Sequence, residues 1–240
     1  MKKTLIFLLS LSLAACAGSA TKTYTLPNGL VDFSAAKQLA CRFEKTIDTP
    51  NTPQTSNWYF WRQEHRTETH DELSNQGELW ENSKPGEFFY TRLFYNEHVA
   101  LEFTQSDLLA TGAVIPSLQQ LNSLVDPKTL GKELILQRKD NATDMAVEYY
   151  TGAINNIATE VDWLPALQLP ARLVKKLPEG TLTLILGECG TGGSKFAVKP
   201  ISKTELDNFR RFDYTDLGDM EDDPMVQHIE QLIGGHQHEH

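Results

Sequence analysis

The sequence predicts an α+β protein, an antiparallel sheet with its helices segregated to the start, middle and end of the chain. Three observations predict it. Residues 99–104 and 157–163 alternate apolar and polar with a period of two, the mark of strands with one dry and one wet face. Turn signals at short intervals, among them Asn96-Glu97-His98 and Pro178-Glu179-Gly180, set consecutive strands in hairpin order. Helical patterns fall in only three places, and runs of strands with separate helices define this class.

Taken in order, residues 30–43 read as a first helix, with Ser34 as cap and Ala36, Ala40 and Phe43 on one face. Thr49-Pro50-Asn51-Thr52-Pro53 breaks it. Residues 58–69 and 77–81 favour strands, and Lys84-Pro85-Gly86 turns into a hairpin of 88–95 with 99–104. Ser117 caps a short helix carrying Leu118, Leu121, Leu124 and Val125, which Asp126-Pro127 stops. A second hairpin pairs 134–139 with 145–150 around 140–143. Residues 157–163, 171–176 and 181–186 continue the meander, and 209–216 is the last strand. Asp223 then caps a helix with Pro224 at its first position and Met225, Val226, Ile229, Leu232 and Ile233 as its apolar stripe. The total is about eight to ten short strands.

Few motifs carry chemistry. Glu64, Arg66 and Glu68 share a strand face, which reads as charge pairing beside His65 and His70. No G-x-S-x-G, H-E-x-x-H or phosphate loop occurs, so the chain is expected not to be an enzyme. The acidic run from Asp213 to Asp223 fails the EF-hand pattern at its twelfth position, Pro224, and is better read as acids at a helix N-terminus. His236, His238 and His240 alternate at the end of the chain, a pattern that binds Zn, Cu or Ni weakly; no other cofactor is expected.

At the N-terminus, Lys2 and Lys3 precede ten mostly apolar residues, about half of what a spanning helix needs. Leu13-Ala14-Ala15-Cys16 then matches the lipobox of bacterial lipoprotein signal peptides. The resemblance implies cleavage after residue 15, lipidation of Cys16 with diacylglycerol and palmitate, and anchoring to a membrane. Ala17, in place of Asp, implies the outer membrane, facing the periplasm. With Cys16 lipidated, Cys41 and Cys189 remain as an even pair in an oxidising compartment. One disulfide closing a long loop is the default reading; two buried thiols are the alternative. Without residues 1–15 the charge is 20 basic against 32 acidic groups, which argues against nucleic acid as a partner.

The lipobox, the first helix, the consecutive strands, the helical interlude and the Leu-Pro elements after Trp163 together resemble the Lol system. That superfamily comprises the periplasmic lipoprotein carrier and its outer-membrane receptor. The resemblance implies a curved antiparallel sheet, an incomplete β-barrel, with helices packed on one side of an apolar cavity. Trp58, Phe60, Trp61, Phe89, Tyr90, Phe94 and Trp163 are its candidate lining, against the simpler reading of the aromatics as core. The implied organisation is 1–15 signal peptide, 16–30 lipidated tether, 31–216 half-barrel domain, 217–235 acidic segment and C-terminal helix, and 236–240 His-rich tail. The expected function is non-catalytic binding of a lipid or acyl chain by a monomer, the lipid or a lipoprotein being the partner. Two alternatives stand beside it: a scaffold that holds a protein through the acidic segment and C-terminal helix, and a metal-binding envelope protein using the tail.

Overall fold

The computed structural model describes residues 38–50, 52–84, 87–141, 145–190 and 196–234. They build one 12-stranded sheet in the order β12-β6-β5-β4-β3-β2-β1-β11-β10-β9-β8-β7. The chain starts at the centre with β1 (Leu39–Asp48). It then meanders outward through β2 (Pro53–Gln63), β3 (Arg66–Asp71), β4 (Gln76–Lys84), β5 (Glu87–Phe94) and β6 (Val99–Phe103). Helices α1 (Gln105–Ala110) and α2 (Leu118–Ser123) lie on the connection that carries the chain to the far edge. From there β7 (Leu134–Asp140), β8 (Val147–Ile154), β9 (Ile157–Leu164), β10 (Leu169–Leu177) and β11 (Gly180–Gly190) return to the centre beside β1. Helix α3 (Lys203–Leu206) leads to β12 (Arg210–Asp213), which pairs with β6 in parallel. A 3-10 helix (Tyr214–Met220) and α4 (Pro224–Gly234) finish the chain. The edges β7 and β12 do not meet, so the sheet is open.

Three expectations are corrected. Of the expected first helix, residues 39–43 are strand, while 30–37 lie outside the described residues. Leu39, Cys41 and Phe43 also repeat with a period of two, and β1 sits between β2 and β11 with a full ladder on each side. Both of its faces are buried there: Cys41 and Phe43 are fully covered on one, and Ala40 packs with Tyr59 and Trp61 on the other. That non-local pairing outweighs a helical repeat of three residues. Second, the helices do not share one side. The face bearing Phe43 and Phe60, called here the front, receives α1 and α4, with Leu108, Val226 and Ile229 packed on Leu101, Phe103 and Phe212. The back face receives α3, whose Leu206 packs near Leu79, Leu93 and Ala100. The last strand is also shorter than expected, because residues 214–216 enter the 3-10 helix.

The expected caps form. Ser117 Oγ accepts from the Gln120 N–H at 3.1 Å, and Asp223 Oδ1 accepts from Met225 N at 2.8 Å ahead of Pro224. Cys41 and Cys189 face each other across β1 and β11, with Cα atoms 4.1 Å apart, and are joined by a disulfide across 148 residues of sequence. The bridge therefore closes the seam where the outgoing and returning meanders meet.

Candidate functional site

The front face holds two separate cores. Around the seam, Phe43, Phe60, Val161, Trp163, Leu173 and Leu186 pack with the 124–134 connection and the 164–169 turn. At the β6 edge, Phe94, Val99, Leu101, Phe103 and Phe212 pack beneath α1 and α4. Strands β3 and β4 run between them, and their front-facing side chains are different in kind. The register places Thr67, Thr69 and Asp71 of β3 opposite Arg62, Phe60 and Trp58 on one side and Trp80, Glu78 and Gln76 on the other. Short side chains thus form the floor of a trough that has Trp58 and Phe60 along its β2 side and Gln76, Glu78 and Trp80 in turn along its β4 side. One wall is Trp58 stacked on Phe60, with ring centroids 6.2 Å apart. The other is a ladder in which Trp80 meets Tyr90 at 4.5 Å, Tyr90 meets Phe103 at 5.2 Å and Phe103 stacks on Tyr214 at 4.7 Å. Trp58, Thr69 and Trp80 are half-buried and Glu78 is exposed, so the strip is not filled by its own chain as the flanking cores are.

Polar groups mark the two ends of the trough. At one end Lys45 Nζ lies 2.6 Å from Asp71, which also accepts from Ser56 at 3.3 Å. At the other end Arg62 is buried and donates to the carbonyls of Asn122 at 2.7 Å and Leu167 at 3.1 Å. Burial pulls its guanidinium down to about 10. Thr67 donates to Asn122 Oδ1 at 2.8 Å, so Asn122 ties α2 across this end. Beneath α2, a crevice bounded by Thr67, Trp80, Phe88, Leu118 and Leu121 has no free volume at the size of a water molecule. On the wall, Arg92 lies 5.4 Å over the Phe94 ring and donates to Gln76 at 3.0 Å. Burial, with Glu78 nearby, holds the Tyr90 phenol well above its ordinary range, so it stays neutral.

The back face is locked by a buried carboxylate. Glu68 is 1% exposed, pairs with Arg66 at 2.7 Å and accepts from the backbone N–H of Ile201 at 2.7 Å. Arg66 in turn donates to the Ile201 carbonyl at 2.6 Å, and Tyr95 OH reaches Glu68 at 3.4 Å. The Arg66–Glu68 pairing expected from the sequence is present, but it fastens the 196–209 connection to the sheet.

Of the candidate lining residues, Trp58, Phe60 and Trp163 belong to the seam core and Tyr90 and Phe94 to the edge core, all on the front. Trp61 is on the back, stacked on Tyr59 at 5.8 Å beneath Phe196 and Val198. Phe89 is also on the back, 45% exposed, at an open cleft of about 520 Å³ shared with Gln38, His65, Arg66 and Glu81. Trp80, Thr69 and Arg62 were not singled out by the sequence reading. Trp80 alternates with Leu79 within a strand run, a signal that could have found it; the trough itself depends on register across four strands. Cys16, His236, His238 and His240 lie outside the described residues. Among the described residues no three His, Cys, Asp or Glu side chains gather as a metal site, and no helix is long and apolar enough to cross a membrane.

No family model matches the chain, and no curated protein matches it in sequence. Solved structures similar to it include PNGF-II at 12% identity, with a TM-score of 0.41, over 76% of this chain and 32% of that one. MucB is similar at 13% identity and a TM-score of 0.37, over 72% of this chain and 59% of that one. The chain thus spans less than two thirds of either protein. A LolA superfamily protein from Nitrosomonas europaea aligns at 9% identity and a TM-score of 0.28, over 68% of this chain and 92% of that one.

Proposed function

We propose that the protein is a lipid-anchored, periplasm-facing lipoprotein of the outer membrane that binds one apolar chain, a lipid tail or acyl group, without catalysing a reaction. The observation that carries this reading is the trough: half-buried Thr69 beside Phe60 and Trp58 on one side and Glu78 and Trp80 on the other, on a face whose flanks are packed. From Thr69 to Asp71 the strand rises about 7 Å, and beyond it Thr67 is buried beneath α2. At about 0.8 kcal/mol per buried methylene, the roughly ten methylenes that approach the free energy of a micromolar complex fit only when α2 is displaced. The Lys45–Asp71 pair and Arg92 stand where a polar end would emerge. The incomplete-barrel shape and the monomeric state belong to this same reading.

The test uses the mature protein with Cys16→Ser, which carries no lipid of its own, titrated with a fluorescent fatty acid. Uptake is expected to alter tryptophan emission, and Thr69→Trp, which fills the trough, should weaken it at least tenfold while the circular dichroism spectrum stays unchanged. Uptake that is undiminished in the folded variant, or absent from the parent together with an absence of co-purified lipid in native mass spectra, overturns the proposal.

A further inference from the structure

Of the seven large apolar side chains exposed among the described residues, four lie at one end of the sheet or on the connection that leaves it. β1 begins, the β2–β3 turn falls, β5 starts and β6 ends at one end of the sheet. Gln38, the first described residue, shares the cleft there with His65, Glu81 and Phe89, and Leu118 borders the adjoining crevice with the same His65 and Glu81. That end and the connection leaving it carry Phe89 at 45% exposure, Leu109 at 62%, Val114 at 88% and Leu118 at 37%. Leu73, at 56%, sits in the turn at the opposite end, and Ile135, at 65%, and Leu136, at 39%, lie apart from these on the edge strand β7. Val114 is held outward by its neighbours, because Ala113 and Ile115 both pack on the edge core. Leu109 likewise follows Leu108, which is buried in that core. The exposed groups are therefore displayed by anchored backbone.

We infer that this end of the sheet rests on the bilayer, with Leu109, Val114, Leu118 and Phe89 entering its apolar zone. The inference builds on the reading of Cys16 as a lipid anchor. Gln38, the first described residue, lies 22 positions after Cys16 and at the same end as Phe89 and Leu118. Lipidation by one group of chains is strengthened by a second membrane contact. Exposed Glu64, Glu81 and Glu87 stand at this end, so the contact is apolar in origin and favours a zwitterionic surface over an anionic one.

The test is a polarity-sensitive fluorophore on Val114→Cys in the lipidated protein, reconstituted in vesicles of phosphatidylethanolamine and phosphatidylcholine. With Cys16 acylated and Cys41 bridged to Cys189, the new thiol is the unique attachment point. A blue-shifted emission that lipid-borne quenchers reach is expected at position 114, with a water-like spectrum from Leu73→Cys at the other end. Unlipidated protein should bind the same vesicles weakly, losing roughly tenfold with Val114→Asp, as burial of one such side chain implies, and losing affinity as anionic lipid is added. Water-like emission at 114 on acylated protein overturns the inference while leaving the anchor intact. Absence of acyl mass on Cys16 overturns the anchor reading separately.

Discussion

At the scale of single residues, Glu68 is the group whose chemistry is most constrained. Burial raises its pKa, and this outweighs the opposing effects of Arg66, the Ile201 N–H and Tyr95. The folded protein therefore holds the Glu68 proton more tightly than the unfolded chain does. Its contribution to stability is greatest below the ordinary carboxylate pKa, about 4.3, and is lost as pH rises through the folded value. Glu68→Gln removes that titration while leaving His70, whose pKa burial lowers, in both proteins. Denaturant unfolding from pH 4 to 7 should thus show the wild type losing stability relative to Glu68→Gln as pH rises; a constant gap would refute the assignment. Glu68→Leu leaves Arg66 half-buried without its closest carboxylate and should cost roughly 3 kcal/mol at either end of the range.

Elements show how much of the fold was legible in the chain. The hairpins of β5 with β6, β7 with β8 and β10 with β11 were, because alternation and turn residues act within a dozen positions. Helices α2 and α4 were legible from Ser117 and Asp223-Pro224. Helices α1 and α3 were missed, although Thr104 with Asp107 and Ser202 with Glu205 are both reciprocal capping boxes. Each is followed by too short an apolar run to signal a helix. β1 was misread because its pairing partners lie far along the chain, and β12 was overextended because only four residues find a place beside β6. The trough was illegible for the same reason: no local signal says that Thr69 stands between Phe60 and Glu78. The Cys41–Cys189 bridge was legible by counting, and its position makes a prediction at this scale. It joins strands whose pairing closes a loop of 148 residues, so the chain-entropy account assigns it about 4–5 kcal/mol. Cys41→Ala with Cys189→Ala should lower the unfolding free energy from denaturant titration by that order, with the near-ultraviolet spectrum retained. No change would refute the chain-entropy account of the bridge.

For the whole molecule, the route of the chain sets which part gives way to a ligand. Both halves of the sheet are meanders of neighbouring strands, and they are joined by β1 with β11, the disulfide and Arg62. The back-face connection is pinned by Glu68 and Arg66, with Ile201 buried. The front-face connection is fastened less firmly. Helix α2 has six residues, well below the length at which a helix is stable alone, and Leu124 ends it at a φ of 63°. Asn122 bonds it to Arg62 and Thr67 of the sheet. Since the crevice beneath α2 is closed, a chain lying in the trough extends past Trp80 only if α2 moves. Hydrogen exchange should therefore find residues 111–125 among the least protected on the front face, with β1, β2 and β11 the most protected. Saturation with a long-chain fatty acid should change exchange across 111–125 and at β3 and β4, and leave 196–209 unchanged. A change confined to 196–209 would place the ligand on the back face, beside Trp61 and Phe196, and the trough would no longer explain binding.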